Sequence, residues 1–158
     1  MKRTTLPTAL LLCIGLIISP VSIDAKELIN MNGIALYAMQ PNVEAGGECG
    51  CYYRLKGKTE EEAFVLYWPF YEDAGKIKIN GQIETLKIEQ DDITSEEYDP
   101  TKVIFKLSNE RLNVSGLCSR DAICDGNEDC EISGYRGTMT IRLGEKELTT
   151  EVEGVCGC

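Results

Sequence analysis

The stretch "GTMTIRLGEKELTTEVEGVCGC", residues 137–158, decides the fold. Apolar and polar side chains alternate over 138–143, and the alternation resumes over 148–153. Successive side chains of a β-strand point to opposite faces, so each half predicts a strand with one buried face. Residues 144–146 between them form a short turn. The stretch therefore predicts two half-buried antiparallel strands.

The rest of the chain carries further β signals. Asn80-Gly81 separates two alternating runs within 76–89 and predicts a hairpin, because both turn positions need positive φ. A slip in the alternation between Ile83 and Leu86 predicts a bulge or a register change after this turn. Three more segments have strand composition: 63–68, 101–107 and 111–116.

Helical signals are weak. Residues 59–64 and 94–97 resemble helix starts, but no sustained apolar face follows either, so we expect a turn or two at most. Residues 26–42 fit either a leading strand or a loose arm. The chain is thus predicted to be all-β, a small antiparallel barrel or sandwich of about seven to eight strands.

The pentad Gly-x-Cys-Gly-Cys occurs twice, as "GECGC" at 47–51 and "GVCGC" at 154–158. Continuing the alternation places the first pair of cysteines on the same strand face as Tyr53, and the second pair on the face of Val152. Both pairs are therefore expected to point toward the core, with the pentads on adjacent strands.

Adjacent strands allow two disulfide arrangements. Antiparallel pairing would join Cys49 to Cys158 and Cys51 to Cys156, whereas parallel pairing would join Cys49 to Cys156 and Cys51 to Cys158. Either would tie the start of the domain to its last strand. The alternative is that the pentad cysteines bond to the cysteines in the middle of the chain. A loop of about 100 residues closed in this way contributes about 4–5 kcal/mol in the chain-entropy model.

Three cysteines lie in the middle of the chain, at 118, 124 and 130. Their regular spacing favours a small loop closed by a Cys118–Cys130 disulfide. Cys124 is then predicted to be a free thiol, either buried and inert or available for an intermolecular bridge.

Residues 1–25 have the features of a secretory signal peptide: a basic start, an apolar run over 9–18 and a small residue, Ala25, at the predicted cleavage site. The apolar run is too short to span a bilayer. A lipoprotein acylated at Cys13 is the alternative, disfavoured because a bulky leucine precedes that cysteine. The sequence thus predicts a periplasmic or secreted protein with a single β domain over 26–158.

The charge restricts the partners. The chain has a net charge of −10, and removal of 1–25 makes it −11. Such a surface repels nucleic acid and anionic lipid and favours a basic protein. We therefore expect an exported binding module, in one form an inhibitor of a basic enzyme such as a lysozyme. The alternative is an exported metal-binding or thiol-active protein that uses the Cys-Gly-Cys pairs.

Catalysis has little support in the sequence. The chain has no histidine, which excludes Ser-His and Cys-His nucleophilic pairs. Asp125, Asn127 and Asp129 are spaced as in a calcium loop, but Cys130 and Arg136 occupy the positions that need Gly and Glu. We predict no enzyme activity, no cofactor and no metal site.

Four aromatic side chains cluster in "LYWPFYE" and are candidate ligand contacts: Tyr67, Trp68, Phe70 and Tyr71. An exposed aromatic row can stack on a sugar or anchor a protein, although such residues more often fill a core.

The ending "CEISGYRGTMTIRLGEKELTTEVEGVCGC" resembles that of small exported bacterial proteins of uncharacterised function, which share the terminal Gly-x-Cys-Gly-Cys motif. The resemblance covers 130–158 together with the pentad at 47–51. It implies export, and it transfers no activity.

Overall fold

The structure, a computed structural model, describes residues 26–40, 49–58, 64–92, 102–121 and 132–157. These residues form ten β-strands and no helix. The strands are β1 (Glu27–Met31), β2 (Ile34–Tyr37), β3 (Gly50–Leu55), β4 (Phe64–Pro69), β5 (Ala74–Ile79), β6 (Gln82–Asp91), β7 (Val103–Ser108), β8 (Leu112–Asp121), β9 (Ser133–Leu143) and β10 (Lys146–Gly157).

Strands β3 to β10 form a closed antiparallel barrel. Each strand pairs with the next one in the chain, and β10 returns to pair with β3. The predicted all-β class is confirmed, and the barrel is the correct one of the two predicted architectures. Eight strands enclose an interior just wide enough for side chains to fill.

The barrel interior is packed with aromatic rings. Tyr53, Trp68 and Phe105 are each exposed by 1 % or less, and their ring centroids lie 4.8–5.3 Å apart. Aliphatic side chains from the inward positions of the other strands surround them. The Trp68 indole Nε1 donates a hydrogen bond to Asp91 Oδ2 at 3.1 Å, which satisfies the ring's only polar group.

Strands β1 and β2 form an additional hairpin at one end of the barrel, and we call this the hairpin end. Asn32 and Gly33 make its turn with φ of 55° and 73°. The hairpin joins the barrel through the pairing of Leu36 with Ile79, and it buries Ile34 and Leu36 completely. Of the two predicted alternatives, a leading strand or a loose arm, the leading strand is therefore correct for residues 26–37. A second strand follows it at once.

The hairpin predicted at Asn80-Gly81 is confirmed, with φ of 50° and 78°. The prediction of a bulge or a register change just after it is wrong, because the β5–β6 register runs without interruption from Ile79 to Ala74. The register shift lies farther along, between Ile88 and Gln90 of β6 where they face β7. Of the helix start predicted at 59–64, only Phe64 is described, and it begins β4. The helix start predicted at 94–97 and the signal peptide at 1–25 lie outside the described residues.

Candidate functional site

The pairing of β3 with β10 closes the barrel, and we call it the seam. Cys156 is directly opposite Cys51 in this antiparallel ladder, and the two form a disulfide that links positions 105 residues apart. Both cysteines are buried, because they face inward with the apolar residues of their strands. The antiparallel arrangement is therefore the correct one for this pair.

Two ion pairs cross the outer face of the same seam. Arg54 lies 3.1 Å from Glu153, and Lys56 lies 3.1 Å from Glu151. The Arg54–Glu153 pair is less exposed to solvent than the Lys56–Glu151 pair. The seam is thus held by backbone hydrogen bonds, by a buried disulfide inside and by charges outside.

Cys49 is also disulfide-bonded. The register pairs Gly50 with Gly157, so one further step opposes Cys49 to Cys158, which lies outside the described residues. The Cys49–Cys158 bridge stays a prediction.

Cys118 is a free thiol, buried inside the barrel on β8. The predicted Cys118–Cys130 disulfide is therefore wrong. The prediction relied on sequence spacing, whereas the inward phase of β8 carries Cys118 into the core. Cys124, predicted to be the free thiol, and Cys130 both lie outside the described residues.

The Cys118 thiol lies next to the Tyr53 hydroxyl in the barrel interior. Burial raises the pKa of Cys118 to about 11, and the interaction with Tyr53 opposes this only partly. The pKa of Tyr53 is raised well above 10, first by burial and then by the nearby thiol. The Tyr53 hydroxyl has no hydrogen-bond partner of normal geometry among the described residues, so the thiol is only a weak partner for it.

The predicted aromatic row is divided by the strand phase. Trp68 points into the barrel, and Tyr67 is 1 % exposed in an outer cluster with Met39 and Tyr52. Phe70 is partly buried against the core. Neither Tyr67 nor Trp68 is accessible to a surface ligand, whereas Tyr71 is 88 % exposed.

Tyr71 is in the β4–β5 turn, at the end of the barrel opposite the hairpin, and we call this the Tyr71 end. Glu72 and Asp73 follow it in the turn, and both are exposed. Segments 93–101 and 122–131 connect strands at the same end. They lie outside the described residues, but their sequences add three and four carboxylates respectively.

Not all carboxylates at the Tyr71 end are available to a partner. Asp92 accepts hydrogen bonds from Gln90 and from the backbone N–H of Ile104. Asp121 pairs with Arg136 at 2.9 Å. The accessible acidic groups among the described residues of this end are therefore those of the β4–β5 turn, beside the exposed ring.

The described residues offer no evident metal site or membrane helix. No group of three or more His, Cys, Asp and Glu side chains within them has the arrangement of metal ligands. None of the described segments forms a helix of the length and apolarity needed to cross a bilayer. The predicted calcium-like motif at 125–129 lies outside them.

The geometry defines a class of protein: an up-and-down antiparallel barrel with a packed aromatic interior and a disulfide at its seam. Comparison of the chain with protein-family models, curated proteins and solved structures finds no match.

Proposed function

We propose that this protein is an exported binding module that engages a basic protein through the Tyr71 end. The observation that carries the proposal is the 88 % exposure of Tyr71 next to two exposed carboxylates. Tyrosine is enriched among the residues that dominate binding energy, because its ring buries much area while its hydroxyl keeps a polar partner. An aromatic ring this exposed has no structural role of its own in the barrel.

Charge supports a basic partner. The net charge of −10 gives a field that attracts cationic surfaces and raises association rates at low ionic strength. Segments 93–101 and 122–131 contain seven further carboxylates in the sequence and lie outside the described residues. The binding energy is then expected to come from Tyr71 and the specificity from Glu72 and Asp73 beside it.

Export is part of the proposal. A disulfide such as Cys51–Cys156 is consistent with an oxidising compartment, as the predicted signal peptide at 1–25 requires. An enzyme that acts outside the cytoplasm on anionic polymers, such as a lysozyme, has a basic surface that this end would complement. Inhibition of such an enzyme is the specific form of the proposed function.

The test is a titration of the exported protein against a lysozyme, with affinity measured by calorimetry at 50 and 300 mM salt. We expect Tyr71→Ala to weaken binding by about 30-fold, the loss typical of an interface hot spot. Ile83→Ala is the matched control, since Ile83 is an exposed apolar residue at the hairpin end. Binding that is unaffected by salt, or equally weakened by both substitutions, would contradict the proposal.

A charge exchange tests the acidic component separately. Glu72→Lys should weaken association and reduce its salt dependence, because it replaces attraction by repulsion beside Tyr71. Glu145→Lys makes the same change in net charge in the β9–β10 turn at the hairpin end, and it should have little effect. Equal effects of the two substitutions would indicate that only the overall charge matters.

A further inference from the structure

A groove of about 640 Å³ lies between β1 and the rim of the barrel at the hairpin end. Leu28, Ile29 and Met31 of β1 line one side, and Leu55 at the end of β3 lines the other. This volume is within the usual range of small-molecule sites. The groove is at the opposite end of the barrel from Tyr71, so it is independent of the function proposed above.

The groove results from the way the hairpin is attached. Strand β2 buries its side chains in the core, and Asn32 Nδ2 donates a hydrogen bond to the Glu147 carbonyl at 2.9 Å. Within the part of the chain that the structure describes, strand β1 pairs with β2 alone and is the outer strand of the sheet. Its apolar residues are therefore only partly covered, and Met31 is 50 % exposed.

Among the described residues that line the groove, one positive charge has no ion-pair partner. Lys56 and Glu151 both line it, and they neutralise each other in the ion pair at the seam. Lys58 lines it as well, is exposed, and forms no ion pair within the described residues. Lys58 is therefore the group of the described lining that would attract an anion, and it does so against the repulsion from the net charge of −10.

We propose that this groove binds a free, single-chain amphiphile with an anionic head, such as a medium-chain carboxylate. The acyl chain lies against Met31, Leu55 and the other apolar residues of the groove, and the carboxylate pairs with Lys58. The apolar lining provides area for the chain, while the charge selects an anion over a cation of the same length.

The experiment uses the exported protein with its disulfides intact. Monomeric dodecanoate is titrated by calorimetry and by displacement of the fluorescent anion 1-anilinonaphthalene-8-sulfonate. We expect one molecule bound per chain, with octanoate weaker by at least about tenfold, because each buried methylene contributes a factor of about two to four. Dodecyltrimethylammonium, with the same chain and the opposite charge, should bind at least about tenfold more weakly than dodecanoate.

Variants assign the site. Lys58→Glu should weaken dodecanoate binding by about tenfold or more and leave dodecyltrimethylammonium at least as tightly bound. Met31→Asp should weaken both ligands. Lys106→Glu makes the same change in charge on the exposed outer face of β7, and it should leave dodecanoate affinity within about twofold. The thermal midpoint of each variant, compared with wild type, shows whether it is folded.

Several results would overturn the proposal. One is the absence of saturable dodecanoate binding, and another is an equal effect of Lys58→Glu and Lys106→Glu. Binding to vesicles that contain an anionic phospholipid, without binding of free dodecanoate, would indicate a membrane surface instead. Displacement of the fluorescent anion by an extended uncharged peptide but not by dodecanoate would indicate strand addition at β1.

Discussion

Phe105 on β7 lies with its ring across Gly116, the residue directly opposite it on β8. A Cβ atom added at Gly116 would collide with three atoms of that ring. The missing side chain at position 116 is what allows the aromatic cluster to fill the barrel. The same relation recurs at the seam, where a Cβ on Gly154 would lie 2.5 Å from Tyr53 Cε1.

Gly116→Ala is therefore expected to destabilise the protein by about 1–3 kcal/mol, the usual penalty for overpacking a close-packed core. Urea denaturation measures the change. Ser115→Ala, one residue earlier on the outer face, should change stability by less than about 0.5 kcal/mol. The loss of unfolding free energy caused by Gly116→Ala should be smaller in a Phe105→Leu background than in the wild-type protein. An unchanged cost would show that the ring does not limit the site.

The seam gives a prediction about the number of bridges. If Cys49 pairs with Cys158, replacing Cys51 and Cys156 by alanine leaves the long loop closed. Stability should then fall by less than about 2 kcal/mol, whereas replacing all four cysteines should cost about 4–5 kcal/mol more.

The measurement is denaturant unfolding of the two-alanine and four-alanine variants, with the mass of each protein confirming which bridges remain. A full loss already in the two-alanine variant would show that Cys51–Cys156 is the only bridge across the seam.

The alternating pattern of the last 22 residues was sufficient to predict the C-terminal hairpin and the inward direction of Cys156. Strand period alone fixes which face a residue takes, and a buried face fixes the register strongly. The antiparallel choice for the disulfide was not fixed by this pattern. It depends on β3 being the first barrel strand and β10 the last, which is a property of the whole topology.

The hairpin of β1 and β2 was missed for a local reason. Asn32-Gly33 is the same turn dipeptide as Asn80-Gly81, and it could have identified the β1–β2 hairpin. The flanking residues of 26–37 alternate poorly, because β2 is buried along nearly its whole length and β1 is mostly exposed.

The cysteine error has a different origin. Even spacing of Cys118, Cys124 and Cys130 contains no information about strand phase. The alternation of β8 does: Leu112, Val114 and Cys118 are all buried. Extending the strand predicted over 111–116 by two residues would have placed Cys118 in the core.

The buried thiol predicts a pattern of chemical reactivity. Cys118 is protonated at neutral pH and shielded by the core, so it should resist alkylation in the native protein and react after unfolding without reductant. Mass spectrometry of the digested protein should locate this label on the peptide that contains Cys118. Rapid labelling of that peptide under native conditions would contradict the burial, and Cys118→Ala is the control for background labelling.

Stability should fall at alkaline pH, because Cys118 stays protonated in the folded protein when it would ionise in the unfolded chain. Its pKa is about 11 when folded against 9.0 for an ordinary thiol, so its contribution is complete below pH 9 and is lost between pH 9 and 11. The pKa of Tyr53 is also raised in the folded protein, so its contribution to stability begins to be lost near pH 10.

Denaturant unfolding at pH 8 and pH 10.5 measures the effect, which for Cys118 is about 2 kcal/mol. Cys118→Ala should lose less stability than wild type between these two values, and Tyr53→Phe should reduce the loss that remains above pH 10. Tyr53→Phe should be neutral or slightly stabilising at pH 8, since it removes a buried hydroxyl without a good partner. If wild type and Cys118→Ala lose the same unfolding free energy between these two pH values, other groups are responsible for the alkaline destabilisation.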